Sequence, residues 1–437
     1  HTTLTRHMQL TSLFKRQHNS RAHHLAAPMI VVAPDKFKGT LSATEVAGTI
    51  AQALKARMPS AKVRICPMAD GGEGTAAILA EELHLSPAVT PGHDAMMNPI
   101  ELHYFTDGTT CAVDAAAIVG LAMLSQTPLR PWDATTFGIG EFIVEMLRQD
   151  MSRVIVCIGG TATVDAGAGM LQALGARFFD VDGAPINISP ITASHLSIIY
   201  SVDFSGIDHN PIKQRVTALA DVDVPLLPDA PGEMSALDFA AQKGISAIEL
   251  PMLRAAFDNF ATAVDNALYP PAQQPRFQGA GGGLGYALHR VLRCECAKGA
   301  DHILNHYHLF NHADKTGTPP SSSAPSVRNP ECIITGEGCF DAQSLHGKVT
   351  GTIIEHATAA HIPVIVVAGR CDGQHLSIPD GVKVITTAQY LTDTTHKTPA
   401  EQPAKQISRH DAIEALHKAL PLIADAVTEF HQSNNHL

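Results

Sequence analysis

The chain has 437 residues, 45% of them hydrophobic and 17% charged, with 31 basic against 42 acidic residues and a net charge of -11. Such a length corresponds to two or three domains at about 100–200 residues each, and the acidic balance argues against nucleic acid or an anionic membrane surface as a partner. No apolar run reaches the ~20 residues of a membrane span, and the scattered cysteines, with no second pair to match Cys294 and Cys296, fit a reduced cytoplasmic compartment.

Residues 1–28 carry Arg6, Lys15, Arg16 and Arg21 and no acidic residue, and are expected to form a disordered leader. The run 29–33 predicts a strand, followed by a loop through Asp35, Lys36 and Lys38. Ser42 and Glu45 form a capping box for a helix reaching about Arg57. A second strand at 62–66 empties into Asp70, Gly71, Gly72, Glu73 and Gly74, with a helix from about Ala76. This βαβα rhythm predicts a parallel sheet with helices on its faces. Shorter β-like pieces lie at 101–105 and 110–113, and a helix starts near Gly138.

The apolar run 154–158 predicts a strand buried on both faces. Gly159, Gly160, Thr161, Thr163 and Asp165 follow, and then a small-residue helix start. A strand feeding glycines and a helix N-terminus is a ready anion site, because the first helical N–H groups have no internal partner. Strand 216–220 ends at Asp221; Lys243 follows, and then a glycine loop with Gly281, Gly282 and Gly283. The Pro/Ser-rich stretch 314–329 reads as a flexible surface insertion. Beyond it come a strand ending at Glu337 and Asp341, then Lys348, strands at 364–369 and 382–386, a polar loop at 396–406, and an amphipathic helix at 411–430.

One pattern recurs: an apolar strand ends, glycines and small polar residues follow, then a carboxylate or a lysine. Ligands of open α/β sheets bind outside the carboxyl ends of the strands. Glycine N–H groups hold phosphate oxygens, lysines neutralise their charge, and carboxylates bind Mg²⁺ or accept the proton of an attacking hydroxyl. Gly347-Lys348 lacks the rest of a P-loop, and neither glycine run satisfies G-x-G-x-x-G, so P-loop and protein kinases are excluded. The residues alone thus point to an α/β enzyme handling a phosphorylated or carboxylate ligand.

The blocks beginning at Ala33, Pro67, Gly159, Gln242 and Ile334, in that order, resemble the bacterial glycerate kinase type-1 family over residues 29 to at least 369. The resemblance implies ATP-dependent phosphorylation of D-glycerate at the 2-hydroxyl, giving 2-phosphoglycerate and ADP with Mg²⁺ as cofactor, by a monomer or homodimer. It implies two α/β domains: a discontinuous Rossmann-like one (29–70 and 277–437) and a second inserted into it (71–276), with the active site in the cleft between them. On this resemblance Lys38, Asp165, Asp221 and Lys243 are the expected catalytic residues, and Asp70 and Glu73 hold the metal. Gly159, Gly160, Thr161, Gly281, Gly282, Gly283, Glu337, Asp341 and Lys348 are expected to bind the nucleotide. Val164, Val224, Cys339 and a shorter 279–285 loop depart from the family pattern. They raise two alternatives: a kinase for another small hydroxy acid or sugar acid, and a non-catalytic ligand-sensing paralogue.

Overall fold

A computed structural model describes residues 28–121, 129–268, 276–310, 330–345, 348–371, 377–391 and 407–434. The expected leader up to residue 27, the insertion at 314–329 and the polar loop at 396–406 lie outside the described residues. In chain order the strands are β1 (Met29–Val32), β2 (Lys62–Ile65), β3 (Ser86–His93), β4 (Pro99–Thr106), β5 (Thr110–Asp114), β6 (Arg153–Cys157), β7 (Arg177–Phe179), β8 (Ser201–Asp203), β9 (Val216–Ala220), β10 (Glu295–Lys298), β11 (Cys332–Phe340), β12 (Val364–Cys371) and β13 (Val382–Thr386).

Two main sheets result. One is parallel throughout, in the order β13-β12-β11-β1-β2. The other runs β10-β9-β6-β5-β4-β3, parallel from β10 to β5 and antiparallel thereafter. β7 and β8 form a separate antiparallel pair. The protein is therefore a mixed α/β fold. β10, from the stretch after residue 277, pairs in the same sheet as β9.

β1, β6 and β12 form where apolar, mostly β-branched residues run without a break. Ile30, Val31 and Val32 are at most 1% exposed and divide between two faces. Ile30 and Val32 pack with Val46, Ile50 and Leu54 of the helix Ala43–Arg57 and with Leu416 and Ile423 of the closing helix Arg409–Asn434. The predicted Ser42–Glu45 capping box starts the first of these helices. Val31 belongs to the opposite face, whose cluster also holds Leu79 of helix Thr75–Leu83, Ile303 of helix Gly299–His306, Ile353 of helix Val349–Ala359, and Ile155 and Leu219 of the six-stranded sheet. Burying a side chain of this size contributes roughly 1.5–3 kcal/mol, so this shared layer cements the two sheets together. The other face of the six-stranded sheet packs against Phe142, Met170 and Phe257.

The segment leaving β2 positions the site. It pairs with the chain after β1, through Met68 N–H donating to the Pro34 carbonyl at 2.9 Å. It then lies across the carboxyl ends of the six-stranded sheet. A Cβ on Gly71 would stand 2.7 Å from the Ala220 carbonyl carbon, and one on Gly299 would stand 2.3 Å from the Gly71 nitrogen. The carboxyl ends of the two sheets thus meet at residues 70–74. No helix among the described residues is long and apolar enough to cross a membrane.

Candidate active site

The 70–74 turn is held by carboxylates. Asp114, at the end of β5, accepts from Gly74 N–H at 2.7 Å and from Ala76 N–H at 2.9 Å. This pins the start of helix Thr75–Leu83, where an anion suits the helix dipole. Asp70 is half-buried, and its Oδ1 accepts from Gly72 N–H at 3.0 Å. Gly72 packs on Gly159 beside Asp221: a Cβ on Gly159 would stand 2.7 Å from the Gly72 Cα and 2.9 Å from the Asp221 Cγ. Only glycine permits that approach.

Asp221 is half-buried at the end of β9. Burial and the neighbouring Asp70 carboxylate push it up to about 6. Opposite it Lys243, only 4% exposed, donates from Nζ to the Thr161 hydroxyl and to the Thr163 carbonyl, both at 2.9 Å. Burial pushes the lysine down to about 8, against the pull of Asp221 and Asp165. A buried cation therefore underlies the turn after β6, next to a carboxylate that titrates close to neutral pH. Groups shifted in this way by burial and by specific partners concentrate at functional sites.

The five-stranded sheet contributes Asp35, whose N–H donates to the Gly336 carbonyl at 2.8 Å. Burial and Asp70 push its carboxyl up to about 7. Lys36 is half-buried and donates from Nζ to the Glu73 carbonyl, bridging the loop after β1 to the 70–74 turn. Its charge acts on Asp35, Asp114 and Asp221. Glu337 on β11 is 8% exposed, and burial raises it above the usual carboxylate range.

Of the residues expected from sequence, Asp70, Gly159, Gly160, Thr161, Asp221 and Lys243 come together here. Glu73 borders them, its side chain exposed. Lys38 is exposed beyond the turn at Gly39, so Lys36, not Lys38, is the lysine of this loop that faces the carboxylates. Sequence reasoning missed Lys36. The usable signal was the Lys38-Gly39 pair, which predicts a tight turn that carries Lys38 away.

Asp165 is fully buried and acts as a clamp. Its Oδ2 accepts from Thr136 N–H and hydroxyl at 2.8 Å and from Gly169 N–H at 3.2 Å, while Oδ1 accepts from Gly167 N–H at 3.2 Å. Gly281, Gly282 and Gly283, all with positive φ, pack beneath the turn after β6. A Cβ on Gly282 would stand 1.9 Å from the Thr163 carbonyl oxygen. Glu337, Asp341 and Lys348 cluster at the end of the five-stranded sheet. Ser344 N–H donates to Asp341 Oδ1 at 3.1 Å. Val164 is 1% exposed inside the core. Cys339 accepts from Arg370 Nε at 3.3 Å, so a guanidinium stands at that strand end. Among the described residues no three His, Cys, Asp or Glu side chains are grouped to hold a metal ion.

The profile of the glycerate kinase family matches residues 30–413. The chain is similar to the glycerate kinase of Bacillus subtilis (strain 168), at 34% identity over 344 residues, covering 78% of this chain and 84% of that protein. It is similar to the glycerate 2-kinase of Escherichia coli (strain K12), at 32% identity over 358 residues, covering 82% and 87%. Among solved structures it resembles a protein of Salmonella typhimurium LT2 assigned as a glycerate kinase 2, with a TM-score of 0.70 and 28% identity over 93% of this chain and 100% of that one.

Proposed function

This chain belongs to the glycerate kinase family and is a phosphotransferase, and from that premise we propose that it transfers the γ-phosphoryl group of ATP to the 2-hydroxyl of D-glycerate. The observation that carries the reading is the meeting of Asp70, Asp221 and Lys243 where the carboxyl ends of two sheets converge on glycine turns. In this reaction the 2-hydroxyl oxygen bonds to the γ-phosphorus, the bond from that phosphorus to the departing ADP oxygen breaks, and the hydroxyl proton passes to a carboxylate.

Asp221 is the residue we assign as that proton acceptor. It is half-open to the cleft, and a value of about 6 leaves it ionised yet basic at neutral pH. Asp165, with both oxygens engaged, positions the turn instead. Lys243 supplies positive charge beneath Gly159, Gly160 and Thr161, and Lys36 supplies it from the other side. Both suit the glycerate carboxylate or the transferred phosphoryl oxygens.

The donor set fits Mg²⁺, which takes one or two carboxylates and completes its shell with water and phosphate oxygens. Asp70 would hold it, with Glu73 at the rim. The rise that Asp70 imposes on both Asp35 and Asp221 shows negative charge gathered at this point. A bound Mg²⁺ supplies charge neutralisation for the phosphates. The reading places the enzyme in the cytoplasm, in keeping with cysteines that form no disulfide among the described residues.

The test is ADP release with D-glycerate, ATP and Mg²⁺, with the phosphate position of the product read by phosphorus NMR. A 2-phosphoglycerate signal supports the reading. A 3-phosphoglycerate signal overturns the regiochemistry, and turnover only with another hydroxy acid overturns the acceptor.

A further inference from the structure

The segment 66–74, which carries Asp70, belongs to no helix or strand. It is nonetheless buried along much of its length, with Cys66 and Met68 at 0% and Ala69 at 2% exposure. The helix Gly299–His306 holds it from one side. A Cβ on Gly299 would stand 2.5 Å from the Asp70 carbonyl carbon, so the helix start abuts the Asp70–Gly71 peptide. At the other end of the helix Tyr307, 4% exposed, donates from its hydroxyl to the Pro67 carbonyl at 3.1 Å. From Gly299 to Tyr307 a helix rises about 12 Å. From Pro67 to Gly71 an extended chain spans at most about 14 Å. The lengths agree, and the helix brackets the segment at both ends.

Tyr307 is itself fixed. Arg64 donates from its guanidinium to the Tyr307 backbone carbonyl. The ring packs in the apolar layer shared by the two sheets, with Met68 and Ile303. The hydroxyl also stands 3.0 Å from Glu82 Oε1, on the helix Thr75–Leu83. A phenol has one proton for these two acceptors. The hydroxyl therefore joins the chain entering the 70–74 turn to the helix leaving it.

We propose that Tyr307 is a positioning residue for the reaction, which through Pro67 fixes where the Asp70 carboxylate stands between the two sheets. An irregular segment has no strand ladder to hold it, so its place depends on such single bonds. Tyr307 lies 240 residues from Pro67 in the chain and outside every strand-end motif. The inference rests on the assignment of Asp70 to Mg²⁺ above.

Hydrogen exchange of the free protein, with turnover measured against Mg²⁺ concentration, tests it in Tyr307→Phe, Glu82→Gln and Asn259→Leu. Tyr307→Phe keeps the ring and removes the bond to Pro67. Within 66–74 the amides of Met68, Gly71 and Gly72 donate to Pro34, Thr75 and Asp70. Exchange there should be at least about tenfold faster. The Mg²⁺ concentration for half-maximal turnover should rise at least about fivefold, with the KM for D-glycerate unchanged. In Glu82→Gln the new amide donates to the Tyr307 oxygen and leaves the phenol proton to Pro67, so both readouts stay at wild type. Asn259→Leu loses two bonds to the Leu196 and Ile199 carbonyls, in a helix on the other face of the six-stranded sheet. It should lower Tm and leave both readouts unchanged. Wild-type exchange in Tyr307→Phe, or the same losses in Glu82→Gln or Asn259→Leu, overturns the proposal and leaves the kinase reading standing. Faster exchange with an unchanged Mg²⁺ dependence makes Tyr307 structural only and overturns it as well. Full activity in Asp70→Asn overturns the metal assignment and this proposal with it.

Discussion

Gly159 touches Gly72 across the junction of the two sheets, and a Cβ built on Gly159 would stand 2.7 Å from the Gly72 Cα. Gly159→Ala must therefore push the 70–74 turn away from Asp221. A misplacement of about 1 Å costs roughly 10²-fold in rate, so kcat/KM should fall by that order, with a lower Tm. Gly48→Ala is the control: its Cβ meets nothing within 4 Å in helix Ala43–Arg57. That variant should gain about 0.5–1 kcal/mol of stability with activity unchanged. Equal activity of the two variants would remove the junction from the site.

The pH profile of kcat/KM should be bell-shaped. Asp221, pushed up to about 6, must lose its proton to act as base, and Lys243, pushed down to about 8, must keep its own to supply charge. Activity rises through the first value and falls through the second. Lys243→Arg should move the alkaline limb upward, because a guanidinium stays protonated. An alkaline limb that stays in place would exclude Lys243 as its source.

How much of this was legible in the sequence depends on the range of the interaction involved. β1, β6, β9 and β12 read directly, because largely apolar runs bury both faces. β3 did not, since Pro87, Pro91 and Gly92 break its pattern. It survives as an edge strand, where a missing donor is tolerated. The carboxylates at strand ends were equally readable as a set. Their separate roles were not, because the bonds that occupy Asp165 come from Thr136, 29 residues earlier in the chain. No local pattern distinguishes that clamp from the half-open Asp221.

Asp165→Asn should act through the fold. Losing hydrogen bonds to a buried charge costs about 1.5–3 kcal/mol each, so Tm should drop clearly while both limbs of the pH profile stay in place. A shifted acid limb with an unchanged Tm would make Asp165 the base.

Asp35 gives a stability prediction with a definite sign. Its folded value of about 7 lies above the ordinary 3.8, so between those pH values the folded state holds more protons than the unfolded one. Stability contributed by this group is therefore present at low pH and lost as pH rises toward 7. Asp35→Asn should raise stability at pH 8 by on the order of 2 kcal/mol, with no gain near pH 4. Thermal melts at the two pH values check it, and equal Tm at pH 8 would show that the carboxyl is not held up.

The most direct measurement is the turnover of Asp221→Asn at saturating D-glycerate, ATP and Mg²⁺, alongside calorimetric D-glycerate binding. With Asp221 as proton acceptor, kcat falls by about 10²–10⁴-fold, D-glycerate still binds, and the acid limb near pH 6 disappears. A kcat equal to wild type with that limb intact would contradict the account.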